Sequence, residues 1–81
     1  MSRGFNSRYL RQTPRSLFGK RLRSLRLTRG LSQEEFAHLT GYSRSYVSLV
    51  ENARYSASLD AIVTFANVLK VKPTELLRGI T

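Results

Sequence analysis

The sequence of 81 residues lacks cysteine and tryptophan and has only one histidine, His38. The absence of cysteine excludes disulfides and thiolate metal sites, and it is compatible with an intracellular protein. The five acidic residues are scattered, and we find no metal-ligand cluster, nucleophile–base pair or phosphate-cradling glycine loop. We therefore expect neither an enzyme nor a metal or other cofactor. No apolar run approaches the roughly 20 residues of a membrane span.

Acidic residues are absent from the first 29 positions, which contain nine of the fourteen lysines and arginines. Residues 30–81 contain five basic and five acidic residues, so the net charge of +9 comes from the N-terminal segment. This asymmetry predicts a polyanionic partner, most simply the phosphate backbone of a nucleic acid. The alternatives are a cationic face that meets only solvent and a surface that binds anionic lipid.

Residues 1–15 are rich in arginine and serine and precede a folded domain that we predict over residues 16–81. They are typical of a flexible basic arm or a weak extra helical turn, although Phe5, Tyr9 and Leu10 could dock on the domain. Three functions remain open for this segment: an arm that follows DNA, an ordinary tail, or an organellar transit peptide.

The most informative segment is residues 31–52, which predicts two short helices joined by a tight turn. Ser32 and Glu35 have the spacing of a capping box, which opens a helix. Gly41 follows where the chain must turn sharply, because only glycine adopts a left-handed backbone without steric cost. Ser43 offers an N-cap for the second helix of the pair.

The second helix of this pair has two contrasting faces. Val47, Val50 and Glu51 share the face that we expect to pack inward. The opposite face is short, polar and outward, and it carries Arg44, Ser45, Ser48 and Leu49. A cation at a helix N-terminus costs the helix a few tenths of a kcal/mol, which suggests a role outside helix stability. In a helix-turn-helix the second helix enters the DNA major groove with its N-terminal residues against base edges.

An amphipathic helix precedes this pair over residues 16–29. Phe18, Leu22 and Leu25 repeat at helical spacing and define its buried stripe. Its basic residues are expected to lie largely off that stripe, and they are Lys20, Arg21, Arg23 and Arg26. Ser16 is a candidate cap with Pro14 upstream of the helix. A basic amphipathic helix also suits a membrane surface or a calmodulin-like partner, but its place before the helix pair favours core packing.

Two more helices follow the pair. Ser58 is predicted to cap the fourth, and the apolar stripe of that helix is Leu59, Ile62, Phe65, Ala66 and Leu69. Val71 continues the core, Pro73 suits the first position of a fifth helix, and Gly79 ends it.

These motifs together resemble the lambda-repressor-like, or Xre-family, helix-turn-helix domain over roughly residues 17–77. The motifs are FGKRLRSLR, GLSQEEFA, GYSRSYVS, VEN and SLDAI followed by FANVLKV-P-ELL. The resemblance implies an all-α, compact five-helix bundle that binds operator DNA, usually as a dimer. Within the family, the sequence is most similar to controller proteins of restriction–modification systems and to small bacterial repressors.

The resemblance also assigns roles to particular residues. The base-reading positions would be Ser43, Arg44, Ser45, Ser48 and Leu49. Gln33, Asn52 and Arg54 match positions that touch the DNA backbone, Tyr46 is expected either to reach phosphate or to pack, and Lys20 adds long-range attraction or is merely solvated. Glu51 matches a structural position that often pairs with a basic residue of the first helix, here Arg21 or Arg26. Leu39 and Tyr42 depart from the family pattern, so we expect an exposed or partner-binding Leu39 and an altered turn.

One module of this size covers few base pairs, so we predict a homodimer on a palindromic operator of double-stranded DNA. The candidate dimer residues are Leu76, Leu77 and Ile80, which could instead close the core. We expect a cytoplasmic, nucleoid-associated bacterial regulator with no membrane partner and no small-molecule effector domain. The alternative is a protein-interaction module of the same fold, such as an antitoxin or coactivator, with only unspecific DNA affinity.

Overall fold

A computed structural model describes residues 13–80 of the chain. In this range the chain forms five helices and no strand, which confirms the predicted all-α class. The helices are α1 (Pro14–Thr28), α2 (Gln33–Thr40), α3 (Arg44–Glu51), α4 (Leu59–Leu69) and α5 (Pro73–Leu76). The expectations for most of the basic arm, including those for Phe5, Tyr9 and Leu10, lie outside the described residues.

Serine caps begin three of the helices at the predicted positions. The Ser32 hydroxyl accepts from the Glu35 N–H at 3.0 Å, and the Glu35 carboxylate accepts from the Ser32 N–H at 2.8 Å, which completes the capping box. That backbone hydrogen bond is the main reason why the pKa of the Glu35 carboxyl lies below its ordinary value. Ser43 and Ser58 accept from the N–H groups three residues later, at 3.0 and 3.1 Å.

The start of α1 differs from the prediction. Thr13, not Ser16, is the N-cap, and its hydroxyl accepts from the Ser16 N–H at 3.2 Å. Pro14 therefore lies inside the helix at its first position, where a missing N–H has no cost and the fixed φ suits a helix.

One apolar core joins all five helices. Phe36 and Phe65 lie at its centre, with ring centroids 5.2 Å apart and no exposed surface. The other buried apolar residues are Phe18, Leu22, Ala37, Val47, Val50, Ala61, Ala66, Leu69 and Leu76. Leu25, Ile62 and Val71 pack against this core while remaining partly exposed.

Two burial predictions were wrong, those for Leu59 and Arg26, and the structure decides between the two alternatives left open for Leu76. Leu59 is 79% exposed, and Ala61 takes its place because residues 61, 65 and 69 are the ones spaced by whole turns on the inward face of α4. Leu76 has no exposed surface, because α5 folds back against α4 and α1, so Leu76 closes the core and cannot contact a second chain. Arg26 is only 5% exposed, because an acidic partner on α3 allows a guanidinium to lie inside.

Gly19 allows α1 to lie against the end of α3. A Cβ atom at this position would lie 2.6 Å from the Glu51 carbonyl oxygen and 2.7 Å from that of Val50. Both oxygens belong to helix backbone that has little freedom to move. Any side chain at position 19 would therefore displace α1 from α3.

Ala53 ends α3 with a left-handed backbone, with a φ of 62°. Its N–H donates to the Val50 carbonyl at 3.1 Å, and the next N–H, of Arg54, donates to the Leu49 carbonyl at 2.8 Å. This conformation costs a residue with a Cβ roughly 1–2 kcal/mol.

We expect Ala53→Gly to raise the free energy of unfolding by about 0.5–1 kcal/mol, since relief of the Cβ strain exceeds the entropy that glycine adds to the unfolded chain. Ala57→Gly is the matched control, because Ala57 is also a partly buried loop residue but lacks a positive φ. Urea denaturation of both variants measures the difference. Equal losses of stability at the two positions would contradict the assignment of strain to Ala53.

Candidate nucleic-acid interface

The outward face of α3 is continuous and accessible. Arg44 and Ser45 are exposed at its N-terminal end, and Ser48 and Leu49 are half-buried one turn later. These four side chains line a single open groove on the surface. Ser43, the fifth predicted base-reading residue, is exposed, but its hydroxyl is engaged as the N-cap.

Arg44 forms no ion pair with any acidic residue in residues 13–80. By contrast, Arg21, Arg26 and Arg78 each pair with a glutamate of the domain. A free guanidinium on this face can donate two parallel hydrogen bonds to two neighbouring acceptor atoms of a ligand.

The inward face of α3 holds the helix in place. Val47 and Val50 have no exposed surface, as predicted, and Glu51 lies beside them at the end of the helix. With these residues committed to the core, α3 cannot rotate about its axis without exposing apolar surface. The polar face therefore stays directed away from the domain.

The Glu51 carboxylate joins three helices. Arg26 donates to it twice, through Nε to Oε2 at 2.6 Å and through Nη2 to Oε1 at 3.0 Å. Gln33 also donates to Oε1, at 3.0 Å, so residues of α1, α2 and α3 meet at one group. Of the two partners that the sequence left open for Glu51, the structure selects Arg26. Arg21 instead pairs with Glu75 on α5 at 3.2 Å.

This ion pair is deeply buried, with 6% of the Arg26 side chain and 2% of the Glu51 side chain exposed. A third guanidinium nitrogen of Arg26, Nη1, donates to the Leu31 carbonyl at 2.7 Å, in the segment between α1 and α2. The charges are thus matched and hydrogen-bonded, which is the condition for keeping such groups in a core.

The candidate contacts to the DNA backbone have different surroundings. Lys20 and Arg54 are exposed, and neither forms an ion pair with another described residue. Gln33 is half-buried beside α3 and is oriented by its bond to Glu51. Asn52 is exposed but bonds to Ser48, both to its backbone carbonyl and to its hydroxyl. For all four residues, contact with phosphate stays a prediction.

Tyr46 is packed among other aromatic rings. It stacks on Tyr42 at 5.0 Å between centroids and lies 6.4 Å from both Tyr55 and Phe65. Its hydroxyl accepts from the Ser58 N–H at 3.3 Å. Of the two functions predicted for Tyr46, packing is present in the domain, and contact with phosphate stays a prediction.

The two departures from the family pattern have separate consequences. Tyr42 fills the turn between α2 and α3, where its ring meets Phe65 edge-on at 5.5 Å. Leu39 is 56% exposed on α2, close to the exposed His38. Gly19 and Ala53, which both act at the C-terminal end of α3, were not identified from sequence. A glycine on the buried stripe beside Phe18 was the one available signal.

Other site types lack support in the part of the chain that the structure describes. No group of His, Asp and Glu side chains within it could hold a metal ion. None of its helices combines the length and the apolar character that crossing a membrane requires.

A family model described as a helix-turn-helix domain matches residues 17–78 of the chain. The chain is 38% identical over 64 residues to the control protein C.BamHI of Bacillus amyloliquefaciens, covering 78% of this chain and 79% of that protein. It is also 38% identical over 66 residues to a hypothetical transcription factor of Neisseria meningitidis serogroup B, covering 82% of this chain and 62% of that protein.

Two solved structures are similar to this chain in both fold and sequence. The restriction–modification controller protein C.AhdI from Aeromonas hydrophila superimposes with a TM-score of 0.72 at 48% identity, covering 74% of this chain and 91% of that one. The Neisseria transcription factor NHTF superimposes with a TM-score of 0.77 at 38% identity, covering 82% and 76% of the two chains. These likenesses confirm the predicted resemblance and the predicted fold.

We expect Arg26→Met to lower the free energy of unfolding by about 3–5 kcal/mol, because it leaves the Glu51 carboxylate buried without its cation. Arg21→Met is the matched control. Its pair with Glu75 has side chains that are 29% and 39% exposed, so the cost should stay within about 1 kcal/mol. Urea denaturation followed by circular dichroism measures both values, and similar costs at the two positions would contradict the structural importance of the buried pair.

Proposed function

The chain belongs to the helix-turn-helix domain family, and from that membership we propose that it is a transcription regulator that binds specific sequences of double-stranded DNA through α3. The relatives that it matches include controller proteins and a transcription factor. Family and fold both favour a DNA-binding protein over an enzyme.

The observation that carries this proposal is the accessible α3 face with an unpaired guanidinium at its N-terminal end. In the major groove, Arg44 would donate to O6 and N7 of guanine, a contact that discriminates against other bases by about 1–3 kcal/mol. Ser43, Ser45 and Ser48 would bond to neighbouring base edges, and Leu49 would contact a thymine methyl group. A protein-interaction module would not need a free arginine at this place.

Phosphate contacts would supply the affinity that does not depend on sequence. Residues 13–80 contain eleven basic and five acidic residues, and two of the acids, Glu51 and Glu75, are ion-paired within the domain. Gln33 begins α2, where its amide is held beside α3 by Glu51. We assign it to the phosphate backbone together with Lys20 and Arg54. The basic residues before position 13 would add to this attraction.

The size of the module supports a dimer. An eight-residue recognition helix reaches few base pairs, so two copies on a palindrome are needed for strong selectivity. With Leu76 in the core, the remaining candidates are Leu77, which is 39% exposed, and Ile80. Both line an apolar groove that also includes Ile62 and Tyr55. We propose that this groove meets a second copy of the chain.

We expect Arg44→Ala to lower the preference for the selected site over random duplexes by about 1–3 kcal/mol while salt-sensitive, unspecific binding persists. Gln33→Ala should instead weaken both kinds of duplex by the same factor, because a phosphate contact carries no base information. A selection of bound sites from random duplexes, followed by competition gel shifts, measures both effects. An unchanged specificity ratio for Arg44→Ala would refute readout by α3.

We expect Leu77→Gln to shift the chain from dimer to monomer in analytical ultracentrifugation, because it places an amide in the apolar groove. Leu39→Gln is the control, since Leu39 is more exposed but lies on α2, away from this groove. The proposed dimer surface would be wrong if the wild-type chain sediments as a monomer both alone at high concentration and on its selected DNA site.

A further inference from the structure

We propose that Asn52 is a positioning residue for DNA recognition. It sets the hydrogen-bond polarity of the Ser48 hydroxyl, so that Ser48 selects a base with an acceptor in the major groove and disfavours cytosine. This inference rests on the proposed function, because it requires α3 to lie in that groove.

Asn52 lies directly after α3, and its side chain returns to the last turn of that helix. Its Nδ2 group lies 2.9 Å from the Ser48 backbone oxygen and 3.3 Å from the Ser48 hydroxyl oxygen. A backbone carbonyl can only accept, so the amide atom facing it must be the nitrogen. The same nitrogen then donates to the hydroxyl, and Ser48 is the acceptor in that contact.

The remaining O–H donor of Ser48 is not used within the described chain. Hydroxyls in helices often donate to a backbone carbonyl three or four residues earlier. Thr28 does so to Ser24 at 2.9 Å, and Thr40 does so to Ala37 at 3.2 Å. Ser48 forms no such bond in residues 13–80, although it occupies an ordinary helical position. Its donor is therefore free for a ligand in the groove that it lines with Arg44.

Base edges in the major groove differ in what they offer to a donor. Guanine presents two acceptors, adenine presents N7 and thymine presents O4, whereas cytosine presents only the N4 donor. A free serine hydroxyl turns to suit either kind of group, so it discriminates poorly. The contact with Asn52 occupies one of the two lone pairs of the Ser48 hydroxyl, which keeps its O–H donor and a single acceptor site. Accepting this bond also polarises the hydroxyl and strengthens its O–H as a donor, so Ser48 favours the bases that accept.

This arrangement also changes the expected function of Asn52 itself. The Nδ2 group has both of its acceptors on Ser48, which holds the Asn52 side chain against the last turn of α3. The backbone N–H of Asn52 donates to the Ser48 carbonyl as well, at 3.0 Å. Asn52 would thus act through Ser48, and its loss would change base preference more than general affinity.

The test uses the full chain and its variants Ser48→Ala, Asn52→Ala and the double variant, with Ser24→Ala as the control. Ser24 is exposed on α1 and is not part of the α3 face. Sites are first selected with the wild-type chain from random duplexes. Fluorescence anisotropy then measures binding to duplexes that carry each of the four bases at every position of the selected site.

We expect Ser48→Ala to abolish the discrimination against cytosine at one position, by about three- to tenfold, the size of one hydrogen bond. Asn52→Ala should reduce it at the same position, and the double variant should lose no more than Ser48→Ala alone. Ser24→Ala should leave that position unchanged. The melting temperature of each variant checks that it is folded, and Ser48→Ala alone still tests the preferred position if Asn52→Ala does not fold.

Three results would overturn the inference. Asn52→Ala could lower the affinity for all duplexes by the same factor and leave the base preference intact, which would make Asn52 a phosphate contact. Asn52→Ala could leave binding as in the wild type, or Ser48→Ala could leave the discrimination at every position unchanged. These three results leave the proposed function intact. If the wild-type chain selects no site at all, the proposed function itself fails, and the inference fails with it.

Discussion

The Arg26 guanidinium and the Glu51 carboxylate form a buried ion pair on which the orientation of α3 depends. Taking two charges out of water costs several kcal/mol for each ion, and only close, complete hydrogen bonding offsets that cost. The pair meets this condition because Gln33 and the Leu31 carbonyl complete the bonding around it. Three helices are thereby held to one carboxylate, and small rotations of α3 would break charged hydrogen bonds inside the core.

A helix as short as α3 needs this support. An isolated helix of eight residues is unstable in water, so α3 exists because its neighbours hold it. Gly19 brings α1 within van der Waals range of its last carbonyl oxygens, and Val47 and Val50 fill the core beneath it. Since the inward groups of α3 are committed to the core, the outward face is left with Arg44, Ser45, Ser48 and Leu49, three of which are polar. The same packing that stabilises the domain therefore leaves Arg44 and Ser48 accessible.

Features that depend on neighbouring residues along the chain were predictable from sequence. The caps at Ser32, Ser43 and Ser58 were identified because a serine hydroxyl just before a helix can accept a hydrogen bond from the N–H three residues later. Gly41 was identified in the same way, since its φ of 82° is what a tight turn between helices requires. The inward positions of Val47, Val50 and Glu51 followed from helical spacing alone.

Features that depend on distant residues were not predictable. The spacing of α1 placed Arg26 off the buried stripe, because it does not show that Glu51, 25 residues away, lies opposite. The family resemblance pointed to Arg21 or Arg26 as the partner of Glu51 but did not choose between them. Leu59 lies outside although it was expected in the core, and Leu76 lies in the core, one of the two places left open for it. The fold, not their hydrophobicity, decides which positions α4 and α5 turn inward. The bond between Asn52 and Ser48 depends on how the chain leaves α3. Ala53, the next residue, has a left-handed backbone, and no sequence rule predicts alanine in that conformation.

If the buried ion pair holds α3 with its polar face available to DNA, binding should affect that face and leave the ion pair in place. The most direct measurement is a titration of ¹⁵N-labelled protein with its selected duplex, monitored by amide chemical shifts. We predict that the largest changes occur at residues 43–49 and that the amides of Arg26 and Glu51 change little, since the support does not move. Large changes confined to α4 and α5, with residues 43–49 unaffected, would contradict the account.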